Sequence, residues 1–456
     1  MNQATRGAGE LLRGYIELPA TVHVLCLGSF INRVGSFVML FLTIYVSEEL
    51  GMGPRFASYC IGMFGVGSVI SALLGGQMAD QFGRRFTMLL ALFGGGTMLM
   101  GLSLIRNGWV FMALLFVFAV VMEMYRPAAS AMIGDVTDSA RRPHAYGLLF
   151  LSFNLGFAVA PPLGGYLAAR SFQYLFWVDG LTTCLYGLVV LLFLRETRPK
   201  LTQSSAETSP DVAAEEARHS GDSPVAAAEA LATLETTALP SSPADQSAGS
   251  VSLLAALRHV AGDHYFLMFC FCSLLTNIVF MQAFVTLPLY LRGMGFNELQ
   301  FGSMICVNGL MIVLFQLPFT PLLNRFPRRY VLLTGELLMA LGFGLTVFAD
   351  SALLIVLTII LWTFGEIFQA PYKPSLVAEM APPALRARYM GIFNISHALS
   401  IALGAPLGGL ILSRFGSTVH WPGCGLLLVL TTGMYLSLFR RLEKGGAEGG
   451  KGVRNQ

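Results

Sequence analysis

Charge is what this chain of 456 residues has least of. Acidic and basic residues make up 12% of it, where a soluble domain carries roughly 25%. So little charge cannot cover a water-facing surface, and a cytosolic enzyme is excluded. Cysteine is scarce as well. Its seven residues lie mostly in apolar stretches, with no CxxC pair and no metal-type spacing, so they read as small buried hydrophobes. No P-loop is present, which excludes ATP-driven pumping by this chain. No nucleophile–base set, metal cluster or cofactor motif is found, and no basic run suits a nucleic-acid patch. What is abundant is apolar: 55% hydrophobic residues, 34 Phe, 21 Met and a mean hydropathy of +0.65. Whole-chain disorder is therefore excluded too. The 49 Gly residues suit close helix packing in lipid.

Twelve apolar stretches are each long enough to cross a bilayer. They cover roughly 22–46, 57–79, 86–105, 108–133, 145–168, 173–194, 264–290, 300–322, 330–349, 352–377, 388–412 and 421–439. These runs are too long and too uniformly apolar for barrel strands. Between the sixth and seventh lies a segment rich in Ser, Ala, Pro, Glu and Thr. Residues 201–250 contain no aromatic residue and carry a net charge of −7. Such a segment cannot bury enough surface to fold alone, so 196–252 is expected to be a flexible linker between two six-helix halves, 1–195 and 253–444. Residues 445–456 are expected to be a disordered tail. Lys and Arg set orientation through the short loops. With both termini inside, the inner loops and the tail hold fifteen, among them Arg84, Arg85, Arg142, Arg328 and Arg440, against five outside. Both termini and the linker are therefore expected to face the cytoplasm.

The two halves repeat one another. PPLGGYLAAR at Pro161–Arg170 matches APLGGLILSR at Ala405–Arg414, an offset of 244. The same offset pairs Arg84 with Arg328, Pro127 with Pro371, Asp135 with Glu379, Arg142 with Arg386 and Gly147 with Gly391. Two parallel repeats related by an axis along the membrane normal are a transporter architecture.

The first inner loop reads Gly76-Gln77-Met78-Ala79-Asp80-Gln81-Phe82-Gly83-Arg84-Arg85. It resembles the G-x-L-A-D-R-x-G-R-R signature of the major facilitator superfamily, with Met78 for Leu and Gln81 for the first basic residue. In that loop Gly76 would let helices approach and Gly83 would permit the turn. Asp80 would accept bonds from a helix N-terminus or an arginine. The second half carries a degenerate copy, Thr320 to Arg329, with Asn324 for Asp80 and Pro327 for Gly83. In the fifth stretch Gly156, Ala160, Pro161, Gly164 and Gly165 resemble the G-x-x-x-G-P-x-x-G-G motif of the superfamily's drug/proton antiporters, with Ala160 in place of Gly. The run Pro371 to Gly391 is similar to bacterial multidrug-efflux members. The resemblance spans the chain outside linker and tails. It implies an all-α membrane protein of twelve helices in two pseudo-symmetric bundles. For Asp80, Arg84 and Arg85 it implies a latch on the outward-facing state, beside a purely structural charge cluster.

Ionisable groups within a bilayer are costly and usually functional. The candidates are Arg33 with Asn32 in stretch one, Glu123 and Arg126 in stretch four, Glu366 and Lys373 in stretch ten, and His397 in stretch eleven. In the superfamily fold, helices one, four, seven and ten line the central cavity, which would collect Asn32, Arg33, Glu123, Arg126, Glu366 and Lys373. Glu123 and Arg126 lie three apart on one face and could neutralise each other. Glu366 has only Lys373 near it, two turns along the same face, and so is the first candidate for the proton-coupling acid, with Glu123 second. Arg33 would be a cavity cation or a partner to either acid. Asp135, Arg142, Glu379 and Arg328 read as an inner charge network, and His397 as a packed polar residue.

The reading that follows is a monomeric secondary transporter in the bacterial cytoplasmic membrane. It would exchange protons for an amphipathic small molecule by alternating access, using no cofactor and no metal. Its rivals are a proton-coupled nutrient symporter and a non-transporting sensor of the same fold.

Overall fold

The structure is a computed structural model that describes residues 17–138, 141–197, 259–382 and 385–452. Most of the expected linker, beyond Thr197, lies outside the described residues. Twelve helices are long and apolar enough to cross a membrane. We number them α1 (Ala20–Glu49), α2 (Gly53–Phe82), α3 (Arg84–Leu102), α4 (Gly108–Val136), α5 (Arg142–Ala168) and α6 (Phe172–Phe193) in the first half. The second half holds α7 (His264–Gly293), α8 (Glu298–Leu323), α9 (Arg328–Leu345), α10 (Ala352–Met380), α11 (Arg386–Phe415) and α12 (Ser417–Gly452). No strand occurs among the described residues. The last helix reaches Gly452 and so runs into the segment read as a tail. Once started, an α-helix supplies its own i→i−4 bonds and needs no neighbour to continue.

Four helices are broken near their middle, two in each half and at equivalent places in the repeat. α1 stops at Val34 and restarts at Val38; α4 stops at Glu123 and restarts at Tyr125. α7 breaks at Met281 and again at Thr286, and α10 breaks between Gln369 and Tyr372. The chemistry is local. Pro127, Pro288 and Pro371 each lack the N–H that would bond four residues back, and the ring crowds that carbonyl.

The bundle has a face bearing the chain ends, here the terminal face, and an opposite face bearing the short turns at Gly51, Ser171, Gly295 and Gly416. The halves meet along two seams. In one, Pro161 and Ala158 of α5 lie against Gly302 and Gly309 of α8; in the other, Gly62 and Gly65 of α2 lie against Pro406 and Ala402 of α11. A Cβ on any of these glycines would collide with the facing helix, so backbone rests on backbone. Both seams lie toward the opposite face. The largest apolar cluster lies there too, and mixes Phe41 and Phe157 with Phe301 and Met304. Toward the terminal face the clusters stay within one half: Leu18, Met88, Met132 and Tyr186 in the first, Leu323, Val331 and Tyr372 in the second. Among the described residues, the close contacts between the halves thus gather toward the opposite face.

Candidate functional site

A cavity of about 430 Å³ lies within the first half, lined from α1, α4, α5 and their neighbours. It brings Asn32, Arg33, Glu123 and Arg126 together, with Asp179 of α6. The break in α1 builds it. Gly35 ends the first segment, and the restarting turn leaves the N–H groups of Phe37 and Val38 without helical acceptors. The Asp179 carboxylate, only 5% exposed, accepts both, at 3.1 and 3.2 Å. Asn32 donates to Thr183 Oγ1 on α6 at 2.8 Å. Glu123 and Arg126 form the pair expected from their spacing, at 3.1 Å. Arg33, however, pairs with neither acid. Its guanidinium lies 3.9 Å from the Phe153 ring centroid and 5.3 Å from that of Phe157, and reaches the Ser36 hydroxyl only at 3.5 Å. The cause is the break, which directs Arg33 across onto α5. The remaining lining is mostly aromatic and aliphatic, including Phe64, Phe118, Phe150, Met39 and Leu99, with the hydroxyls of Ser29, Ser130 and Tyr125 among them.

Glu366 and Lys373 do not line this cavity; they lie in the second half. Nor do they face each other. The two-turn spacing assumed one unbroken helix, and the break at Ala370–Pro371 rotates Lys373 away. Glu366 instead accepts from Asn308 Nδ2 of α8 at 2.8 Å, and the same amide donates to Thr363 Oγ1 at 3.1 Å. Lys373 lies within electrostatic reach of a buried acid on α9, Glu336. The Glu336 side chain is fully buried, bonded by Thr276 of α7 and by Gln369 Nε2 at 2.6 Å. Neither Asp179 nor Glu336 belongs to any motif. Both were visible as single acids inside apolar runs, and the repeat offset marks Glu336 further, because its counterpart is Leu92. His397 sits within electrostatic reach of Arg126 and Lys373.

At the terminal face the inner-loop residues form one cluster. Arg84 bonds Asp80 at 2.9 Å and Asp135 at 3.2 Å. Glu196, just past α6, accepts the backbone N–H of Arg84 and Arg85 at 2.9 and 3.0 Å and so caps α3. Arg85 donates to the Leu191 carbonyl at 2.6 Å. Gly83 has φ +102°, and a Cβ there would strike Glu196. Gly76 corrects the expectation: a Cβ on it would meet nothing, and Gly75 makes the close approach, to Pro127 and Met124 of α4. The repeat reproduces the arginine pair, since Arg328 bonds Glu379 and Ser375. Arg142 is not part of this ionic network. Its guanidinium donates to the carbonyls of Thr137 and Gly134, at 3.2 and 2.9 Å, closing the end of α4. In α5, Gly156 abuts Arg33 and Phe30 of α1, Gly164 abuts Phe37 and Phe41, and Gly165 abuts the Glu298 backbone of α8. With Pro161 on Gly302, Gly156, Pro161, Gly164 and Gly165 of that motif are all close helix contacts.

No group of three or more His, Cys, Asp or Glu side chains able to hold a metal comes together among the described residues.

The sequence profile of the Major Facilitator Superfamily matches residues 25–313 and 292–455. The MFS-type transporter YqjV of Bacillus subtilis (strain 168) is 22% identical over 395 residues, 86% of this chain and 86% of its own. The Na(+), Li(+), K(+)/H(+) antiporter of Planococcus maritimus is 24% identical over 439 residues, 91% of this chain and 94% of its own. A crystal structure of a POT family transporter in complex with 5-aminolevulinic acid shares the fold, with a TM-score of 0.71 at 18% identity, over 92% of this chain and 96% of that one. The profile covers both halves, and the twelve helices carry the inner-loop cluster on a repeated architecture. The chain belongs to the Major Facilitator Superfamily: it is a multi-pass membrane protein and a secondary transporter of that type.

Proposed function

We propose that this transporter exchanges protons for an amphipathic small molecule and exports the latter. The observation that carries the proton is the setting of Glu366. Its carboxylate sits inside the membrane span with one amide as partner and no cation within 4 Å among the described residues. A cation would oppose protonation. An amide opposes it less: Asn308 donates to the ionised carboxylate, and on turning over its carbonyl can accept from the protonated acid. Both states are served, which is what a carrier needs. The cavity supports the substrate class, being aromatic and aliphatic with a few charged groups. Similarity to an ion/proton antiporter favours exchange over symport.

In this reading the terminal face is cytoplasmic and the described state is inward-open. Residues 1–195 and 253–444 are the rocking halves, 196–252 is a cytoplasmic tether, and a monomer in the bacterial cytoplasmic membrane is the working unit. The test is transport in inverted vesicles over a panel of amphipathic substrates, with and without a pH gradient. Gradient-driven uptake into the vesicles is expected for the native chain. Glu366→Gln is expected to abolish it while leaving gradient-free counterflow intact. Gradient-driven uptake unchanged in that variant would remove Glu366 from the mechanism, and no gradient effect on the native chain would overturn the exchange.

A further inference from the structure

The cavity of the first half holds more cationic donors than acceptors to meet them. Arg33 and Arg126 both line it, within electrostatic reach of each other. Each of the two acids in the lining is already engaged. Glu123 meets Arg126 at Nε, at 3.1 Å, and no other protein partner of that guanidinium occurs among the described residues. Asp179 receives two backbone N–H groups of α1 and stays beyond 4 Å of Arg33. Arg33 rests on aromatic rings, and its Nε is buried with no partner. Two guanidinium groups sharing an apolar hollow repel each other, and Asp179 and Glu123, each already bonded elsewhere, oppose that repulsion at Arg33 from a distance. An anion between them removes that cost, and the planar fork of Arg matches a carboxylate or sulfonate two bonds at a time.

From this geometry we propose that the cavity binds an amphipathic organic anion, its acid group between Arg33 and Arg126 and its apolar body against Phe64, Phe118 and Phe153. The proposal deepens the export reading by naming the substrate class, and rests on it only for the purpose of binding.

The test uses the purified full chain in nanodiscs of zwitterionic lipid, titrated by fluorescence with three matched probes: dansylglycine (a carboxylate), dansylglycinamide (neutral) and dansylcadaverine (a cation). Dansylglycine is expected to bind about tenfold or more tighter than the amide. Arg33→Gln and Arg126→Gln are each expected to erase that preference without weakening the amide. Should Arg33→Gln not fold, Arg126→Gln decides alone, because its side chain is more than half exposed and its ion pair, to Glu123, lies within α4. Equal binding of all three probes, preference for the cation, or a preference that survives Arg126→Gln overturns the proposal. Binding needs no gradient. A carboxylate preference without gradient-driven transport would therefore sink the export reading and leave the anion site standing, and gradient-driven export of cations alone would do the reverse.

Discussion

Arg292 Nε donates to both carboxylate oxygens of Glu48, at 3.0 and 3.1 Å, and the two residues are 244 positions apart. The sequence match at these ends, Gly51-Met52-Gly53 with Gly293-Met294-Gly295, has an offset of 242, so the ion pair joins nearly equivalent ends of α1 and α7. Such ends can touch only near the pseudo-two-fold axis, where like side chains would confront one another. Identical charges there would repel; an acid facing a base turns the same place into a clasp. Arg292 also meets Glu298 at the start of α8, at 3.2 Å, on the face where the contacts between the halves gather.

Glu48→Arg is expected to loosen that face. Half-exposed pairs of this kind contribute about 1 kcal/mol or less, so the change is a shift in population and not a loss of fold. Spin-label distances across the turns at Gly51 and Gly295 should lengthen. The double reversal Glu48→Arg with Arg292→Glu should restore them, and no recovery would mean that the pair does not clasp the halves.

Gly165 and its repeat partner Gly409 should tolerate no side chain. A Cβ on the first meets the Glu298 backbone, and one on the second meets Ser58. Gly165→Val and Gly409→Val are each expected to bias the protein away from the state described, read by the same distances. An unchanged distribution in both would show that the seams do not hold this state.

Glu336 should matter to stability more than its absence from any motif suggests. Glu336→Leu leaves Lys373 buried without its nearby counter-charge, a loss of about 3 kcal/mol. Adding Lys373→Met should recover most of it, since an apolar pair replaces an ionic one. Thermal unfolding in detergent measures both variants. A double variant no more stable than the single one would show that the two charges are not coupled.

Gly83→Ala should destabilise the start of α3, by about 1–3 kcal/mol. The residue sits at φ +102°, and its new methyl group would push Glu196 off the N–H groups it caps. Adding Glu196→Ala should not rescue it, because the backbone strain remains. Full rescue would place the whole cost in the side-chain clash.

The twelve spans were legible because one physical quantity, the length of an apolar run, decides them. The Asp80–Arg84 and Arg84–Asp135 contacts were legible because a spacing of four and a repeat offset each constrain geometry. The interior charges were less so. The pairing assumed for Glu366 and Lys373 failed at Pro371, where a break changes which neighbour a side chain faces. Asp179 caps α1 from 142 residues away, a relation that no local pattern encodes. Gly75 and Gly76 are indistinguishable as letters, and only the position of Pro127 selects between them.

The matching breaks in α1, α4, α7 and α10 carry a mechanical consequence. A straight rod pivoting at its centre moves both tips together, so opening one side of the bundle obliges the other to close by the same swing. A rod with a joint is not so bound. Its half beyond the joint can fold inward while the rest stays against its neighbours, and the end capped by Asp179 in α1 is such a half. With jointed members at equivalent places in both repeats, a form sealed on both faces becomes reachable. In it a bound molecule would be enclosed before either face opens.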